Sequence, residues 1–271
     1  MDWFLTLLAL VYLAIASVQD LRKREIWNWL SFSLIIFALA YRAFYSVLAS
    51  DLWFFVYGVI GLAVFVILGY VFYYARVFAG GDVKLLWALG VVLPVSDIYS
   101  SLILTGMFIL LFLFVGGLWG LGYSFFLVAR NKEQFSMEFG KQIKKYRSFV
   151  LILLVVSLAL VLVPVILNDA VFIFLPVIIF LMPLLYVYGK AIENSCMIQE
   201  LATRKLTVGD WLVEPVKVGR KTIKPYWEGI SEEELKILRK YRGKIKIKQG
   251  VPFVPAFLIA FVLLVLSGKY L

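Results

Sequence analysis

The stretch from Trp3 to Arg24 reads WFLTLLALVYLAIASVQDLRKR, an apolar run that ends abruptly in a carboxylate and a set of cations. Residues 3–19 are long enough to cross a bilayer core, which takes about 17–25 apolar residues as a helix. The pattern recurs at 28–48, 53–75, 98–128, 148–167, 170–190 and 251–268, with a shorter run at 83–94. Of 271 residues 63% are hydrophobic and 16% charged, and mean hydropathy is +0.95. A soluble chain of this size lacks the interior to absorb so much apolar surface. Lipid accepts it on the outer side of every helix.

The sequence therefore predicts an all-α polytopic membrane protein. The first run is not expected to be a cleaved signal peptide, because Met1-Asp2 offers no basic start and no small-residue cleavage site follows. The basic residues orient the spans. Arg22, Lys23 and Arg24 fall in the first connection, Arg76 and Lys84 in the third, six more between Arg130 and Arg147, and fourteen between Lys190 and Lys248. These 25 of the 27 Lys and Arg share one face if residues 83–94 cross the membrane. By the positive-inside rule that face is cytoplasmic. The other face receives the short connections at Asp51, Asp97 and Asp169, together with Lys269, and Arg42 is expected to snorkel towards it. This gives about eight spans (six to eight), with both termini outside. The +10 net charge then reflects orientation and attraction to anionic headgroups rather than nucleic acid.

Three parts are expected: a catalytic bundle over 1–191, a small cytoplasmic α+β domain over 192–250, and a final span over 251–271. In the small domain Val213–Gly219 reads as a strand and turn. Ser231 followed by Glu232, Glu233 and Glu234 reads as a capped helix start. The alternation Lys244-Ile245-Lys246-Ile247-Lys248 reads as an edge strand with a basic face.

Two absences narrow the chemistry. There is no histidine, which removes Ser-His and Cys-His proteases and His-ligated metal sites. The single cysteine, Cys196, allows no intrachain disulfide and no thiolate cluster. No metal or cofactor is implied. Two carboxylates stand out: Asp20, closing the first run, and Asp82, in Phe78-Ala79-Gly80-Gly81-Asp82-Val83-Lys84 after the third. The topology puts both at one depth. Carboxylates held close share a proton, so one can activate water while the other donates to a scissile carbonyl. Gly80 and Gly81, without Cβ, would let a substrate backbone approach Asp82. Lys84 could tune that aspartate or simply snorkel. The plainer alternative is an aspartate at a helix end and an ordinary turn.

These segments resemble the type IV prepilin peptidases, in particular the archaeal preflagellin peptidase branch of the GxGD intramembrane aspartyl proteases (FlaK/PibD-like). Asp20-Leu21-Arg22-Lys23-Arg24-Glu25-Ile26 is similar to the family's first aspartate motif, and Gly81-Asp82-Val83-Lys84 to the end of its second. Ala79 stands where the motif has its first glycine. Pro252 and Pro255 are similar to the proline-containing entry of the family's last helix. Pro252 could be a first-turn proline and Pro255 a mild kink, or the two could free backbone groups for a substrate strand. The resemblance implies Asp20 and Asp82 as catalytic, with Gly80, Gly81, Lys84, Pro252 and Pro255 in the active-site loop or substrate contact. It implies flagellin- or pilin-like precursors with short basic leaders as substrates, cleaved at the cytoplasmic face without methylation. Glu25, Glu193, Glu200 and Glu214 are candidate partners for leader cations. Archaeal members imply fewer spans than eight, which makes 148–190 an addition. An ion-coupled transporter and a presenilin-like protease are the competing readings.

Overall fold

The computed structural model describes residues 2–95, 97–167, 169–219, 221–241 and 243–268, so Met1 and Lys269 lie outside the described residues. Helices α1 (Trp3–Lys23), α2 (Asn28–Ala49), α3 (Leu52–Tyr74), α4 (Gly80–Val92) and α5 (Ile98–Arg130) come first. They are followed by α6 (Lys132–Lys145), α7 (Arg147–Leu160), α8 (Leu162–Leu167) and α9 (Phe174–Ser195). Strands β1 (Ile198–Ala202), β2 (Trp211–Leu212), β3 (Val216–Val218) and β4 (Lys221–Ile223) precede α10 (Glu232–Leu238), β5 (Lys244–Lys248) and α11 (Val254–Ser267). Among the described residues, six helical stretches are long and apolar enough to cross a membrane: α1, α2, α3, α5, Arg147–Pro164 and Val171–Ser195. Helix α11 is apolar but shorter, at 14 residues. The chain is thus a mainly helical, multi-pass membrane protein with a small sheet region near its C-terminal end.

The aspartates at the sparse connections have local work. Asp2 Oδ1 accepts from Leu5 N–H at 3.0 Å, Asp51 Oδ1 from Trp53 N–H at 3.1 Å, and Asp169 Oδ1 from Val171 N–H at 2.9 Å. Asp97 takes the amides of Tyr99 and Ser100 at the start of α5. Each satisfies donors that a helix start leaves without partners.

Contacts divide the chain into two compact units. One comprises Met1–Gly122 with Val251–Leu271, and the other Tyr123–Gly250. The second unit holds the sheet region together with α6, α7 and α9.

In the first unit α4 is central. It packs on α3, α2 and α1, and Leu85, Leu86, Ala88, Leu89 and Val91 are 0–1% exposed. At 13 residues it is about 20 Å long, short of the roughly 30 Å hydrocarbon core. Gly61 of α3 and Gly90 of α4 meet backbone to backbone, and a Cβ on Gly90 would lie 2.6 Å from the Gly61 carbonyl oxygen. Only residues without a side chain permit that approach.

Arg42 corrects the snorkelling expectation. It is 0% exposed, and its guanidinium donates from Nε to the Val91 carbonyl at 2.7 Å and from Nη1 to Phe54 at 2.6 Å. Nη2 donates to Val92 at 3.3 Å and to Pro94. The Phe54 ring lies under it, 4.4 Å from centroid to Cζ. Its charge thus sits on the C-terminal carbonyls of α4, the negative end of the helix. Gly58 makes the room, because a Cβ there would collide with Arg42 Cδ.

In the second unit α9 packs along α7 and α6. β5 is the middle strand of an antiparallel sheet of order β1-β5-β2, not an edge. The alternation correctly sends Ile245 and Ile247 into the core, where they are 2% and 1% exposed, but side-chain period says nothing about in-plane neighbours. β3 and β4 form a hairpin around Gly219, whose φ is +59°. The α10 start is a reciprocal cap, with Ser231 Oγ accepting from Glu234 N–H and Glu234 Oε2 from Ser231 N–H. Glu193 at the end of α9 holds both Lys190 and Lys248 at 2.7 Å, tying β5 to that helix.

Replacing Arg42 with Met keeps most of its length but strands the three buried carbonyls of Val91, Val92 and Pro94. Hydrogen bonds to charged groups contribute about 1.5–3 kcal/mol each. The expected loss is therefore about 3 kcal/mol or more, read as a lowered unfolding midpoint in detergent. Gly58→Ala should lower it too, by forcing the guanidinium out of register.

Candidate active site

Asp20 lies in the last turn of α1, 7% exposed. Its Oδ2 accepts the Val254 N–H at 2.9 Å, a contact between residues 234 positions apart. Sequence dictates this partner. Helix α11 begins at Val254, whose amide has no acceptor within its own helix, and Pro255 after it has no N–H. A carboxylate at that position also meets the positive end of the helix. The α1–α2 turn closes around Asp20. Arg24 adopts φ +59°, its N–H bonds to the Asp20 carbonyl at 2.9 Å, and Gln19 Oε1 accepts from Trp27 N–H at 3.3 Å. Gln19, 8% exposed, escaped the sequence reading, because nothing in its neighbourhood marks a polar residue beside the aspartate as a strut for the turn.

Asp82 occupies the first turn of α4, where its Oδ2 accepts from Ala79 N–H at 3.3 Å. That is half of a capping box; Ala79 itself has no side-chain acceptor to complete it. Ala79 has φ −76° and ψ 162°, extended backbone that any residue adopts, so alanine in place of glycine imposes no strain there. Asp82 and Asp20 are within Coulombic reach of each other. Both carboxyl groups belong to the first compact unit, one on α1 and one on α4.

The remaining sequence candidates have these places. Gly80 and Gly81 open α4, and neither is among the described glycines with positive φ. A Cβ on Gly80 would meet nothing within 4 Å, whereas one on Gly81 would lie 3.3 Å from Ile26 Cδ1. Gly81 thus seats the α1–α2 turn on α4, and Gly80 faces open space. Lys84 Nζ donates to Asn28 Oδ1 at 2.7 Å and lies 5.9 Å from the Phe32 ring, joining the starts of α4 and α2. The Pro252 carbonyl accepts from Trp119 Nε1 at 2.7 Å, and the Phe253 carbonyl from Ala256 N–H at 3.0 Å. Backbone groups around the two prolines are thus engaged within the protein.

The residues just before α4 and α11 join an aromatic cluster, in which Phe78 sits 5.5–5.9 Å from Phe112, Phe253 and Phe257. Of the acidic candidates for leader cations, Glu193 is taken by Lys190 and Lys248, and Glu214 lies 3.6 Å from Lys246. Glu25 and Glu200 appear in no ion pair among the described residues.

Residues 7–125, which contain both aspartates, match the type IV leader peptidase family. The chain is 30% identical over 205 residues to the prepilin peptidase EppA of Methanothermobacter thermautotrophicus, covering 68% of this chain and 49% of that protein. It is 35% identical over 82 residues to a preflagellin peptidase of Methanocaldococcus jannaschii, covering 30% of this chain and 35% of that protein. A preflagellin peptidase of Methanococcus maripaludis is 35% identical over 92 residues, covering 33% and 40% respectively. The chain thus spans about half the length of the first relative and less of the other two. No solved structure matches it.

The cap on α11 separates two substitutions of Asp20. Asp20→Ala should lower stability by about 1 kcal/mol through loss of the acceptor, while Asp20→Asn, which retains a carbonyl oxygen, should lower it much less. Unfolding of both variants in one detergent checks this.

Proposed function

Because the chain belongs to the type IV leader peptidase family, we propose that it is a membrane-embedded aspartic endopeptidase that removes basic leader peptides from flagellin- or pilin-like precursors. The observation that carries this reading is that Asp20 and Asp82, on two separate helices, lie within Coulombic reach of each other. Both sit where apolar runs give way to basic connections, the depth at which a leader would join its precursor's apolar helix. By the positive-inside rule that depth is the cytoplasmic face, and both termini lie opposite.

In this mechanism one carboxylate takes a proton from water as the water attacks the scissile carbonyl. The other, protonated, donates to the carbonyl oxygen. The tetrahedral intermediate then collapses as the leaving amine receives a proton, and the pair returns to its shared-proton state. Two carboxylates at short range favour such sharing, since both cannot easily be charged. Asp20 is oriented by the Val254 amide and Asp82 by the Ala79 amide. The open side of Gly80 is where an extended substrate backbone would pass. A carrier would more commonly place its charges near the midplane, at broken helices.

The reading is tested by incubating membranes containing the protein with a tagged precursor that retains its leader. Wild type should release the leader, while Asp20→Asn and Asp82→Asn, at equal protein levels, should each slow cleavage by at least about a hundredfold. Cleavage that survives either change removes that residue from the mechanism. Failure of wild type to cleave any prepilin or preflagellin leader would point instead to a carrier.

A further inference from the structure

The β3–β4 hairpin and the segment after it carry a feature the peptidase reading leaves unused. Between Glu214 and Glu228 the chain has no acidic residue, while Lys217, Lys221 and Lys224 are all exposed. The register pairs Val216 with Ile223 and Val218 with Lys221 on the face that joins the small domain's core, and Lys217 with Thr222 on the other face, so the exposed Lys221 lies at the turn end of the hairpin. Directly after the hairpin, Pro225 is followed by Tyr226, 58% exposed, and Trp227, 40% exposed. Neither aromatic belongs to the core beneath.

Lysines beside exposed Tyr and Trp are the combination that favours a bilayer interface. The rings sit at headgroup depth, and the cations meet anionic lipid. The domain cannot drift from the membrane, either. β1 starts at Ile198, just past the end of α9 at Ser195. Lys248 is held to Glu193 at 2.7 Å, and Gln249 N–H donates to the Met197 carbonyl at 2.9 Å. We propose that the β3–β4 hairpin, with Lys217, Lys221, Lys224 and the Tyr226-Trp227 pair, is a docking surface for the anionic lipid surface of the membrane the chain spans. Charge complementarity selects lipid: three exposed cations lie beside two exposed amphipathic rings, in a stretch of chain without an acidic residue from Pro215 to Trp227. The surface does not depend on the peptidase chemistry.

The test uses the full-length chain with its one cysteine replaced (Cys196→Ala) and Tyr226→Cys labelled with an environment-sensitive fluorophore. The protein is placed in nanodiscs of phosphatidylcholine alone or mixed with phosphatidylglycerol. Each lysine near an anionic surface changes partitioning by about fivefold. Emission should therefore shift to the blue, and brominated lipid should quench the label, in the mixed discs but not the neutral ones. High salt and the triple change Lys217→Glu, Lys221→Glu, Lys224→Glu should each abolish the effect. A label at Glu233→Cys on α10 should stay open to aqueous iodide throughout, and an unchanged unfolding midpoint of the triple variant confirms that the domain remains folded. The proposal fails if the label at 226 behaves alike in both discs, or if the triple change leaves its quenching intact. It fails equally if the emission shifts without bromolipid quenching, which would assign the surface to a protein partner.

Discussion

Backbone carbonyls at the end of a helix buried away from water must find donors inside the protein, and at the end of α4 they find Arg42. A helix of 13 residues is too short to carry its own ends to both surfaces of a bilayer. The guanidinium can serve Val91, Val92, Pro94 and Phe54 at once because its donors are fixed in a planar fork. A lysine ammonium, with three donors at one point, could not cover the same spread. Space for the fork comes from Gly58, and close passage of α3 along α4 comes from Gly61 and Gly90. The helix so enclosed presents Asp82 at its opposite end.

The same logic of unpaired backbone groups places the other aspartate. Val254 opens α11 with an amide that has no acceptor in its own helix, and Asp20 supplies one. The carboxylate thereby links α1 to α11 before any chemistry is asked of it. Around it, Gln19 pins the α1–α2 turn, and Gly81 lets Ile26 of that turn rest on the first turn of α4. Both of their helices are thus held by hydrogen bonds made at helix ends.

Much of this architecture was legible. Long apolar runs between charged connections show directly as spans, since a bilayer imposes a length that sequence must meet. Ser231 and its acidic followers announced the α10 cap. The enclosure of α4 was not legible, because a short apolar run has the same composition whether it faces lipid or protein. Arg42 misled for a related reason. Its partners are backbone carbonyls 12 to 52 positions further along the chain, which no residue type signals. Lys244 to Lys248 revealed which face was buried but not that strands lie on both sides. The motifs singled out Asp20 and Asp82, while nothing signalled the Val254 amide that orients Asp20, since the flanking prolines read equally as a first-turn proline with a mild kink or as freeing backbone groups.

The claim on which the functional account rests is that Asp20 and Asp82 act as one unit. Binding of a peptide analogue of the leader junction, with a secondary alcohol in place of the scissile carbonyl, measures this directly. Residues that act together are non-additive when removed in turn. Asp20→Asn and Asp82→Asn should each weaken binding by about a hundredfold or more, and the double variant should bind no worse than either single one. Independent losses that multiply in the double variant, or tight binding that survives either change, would contradict the account.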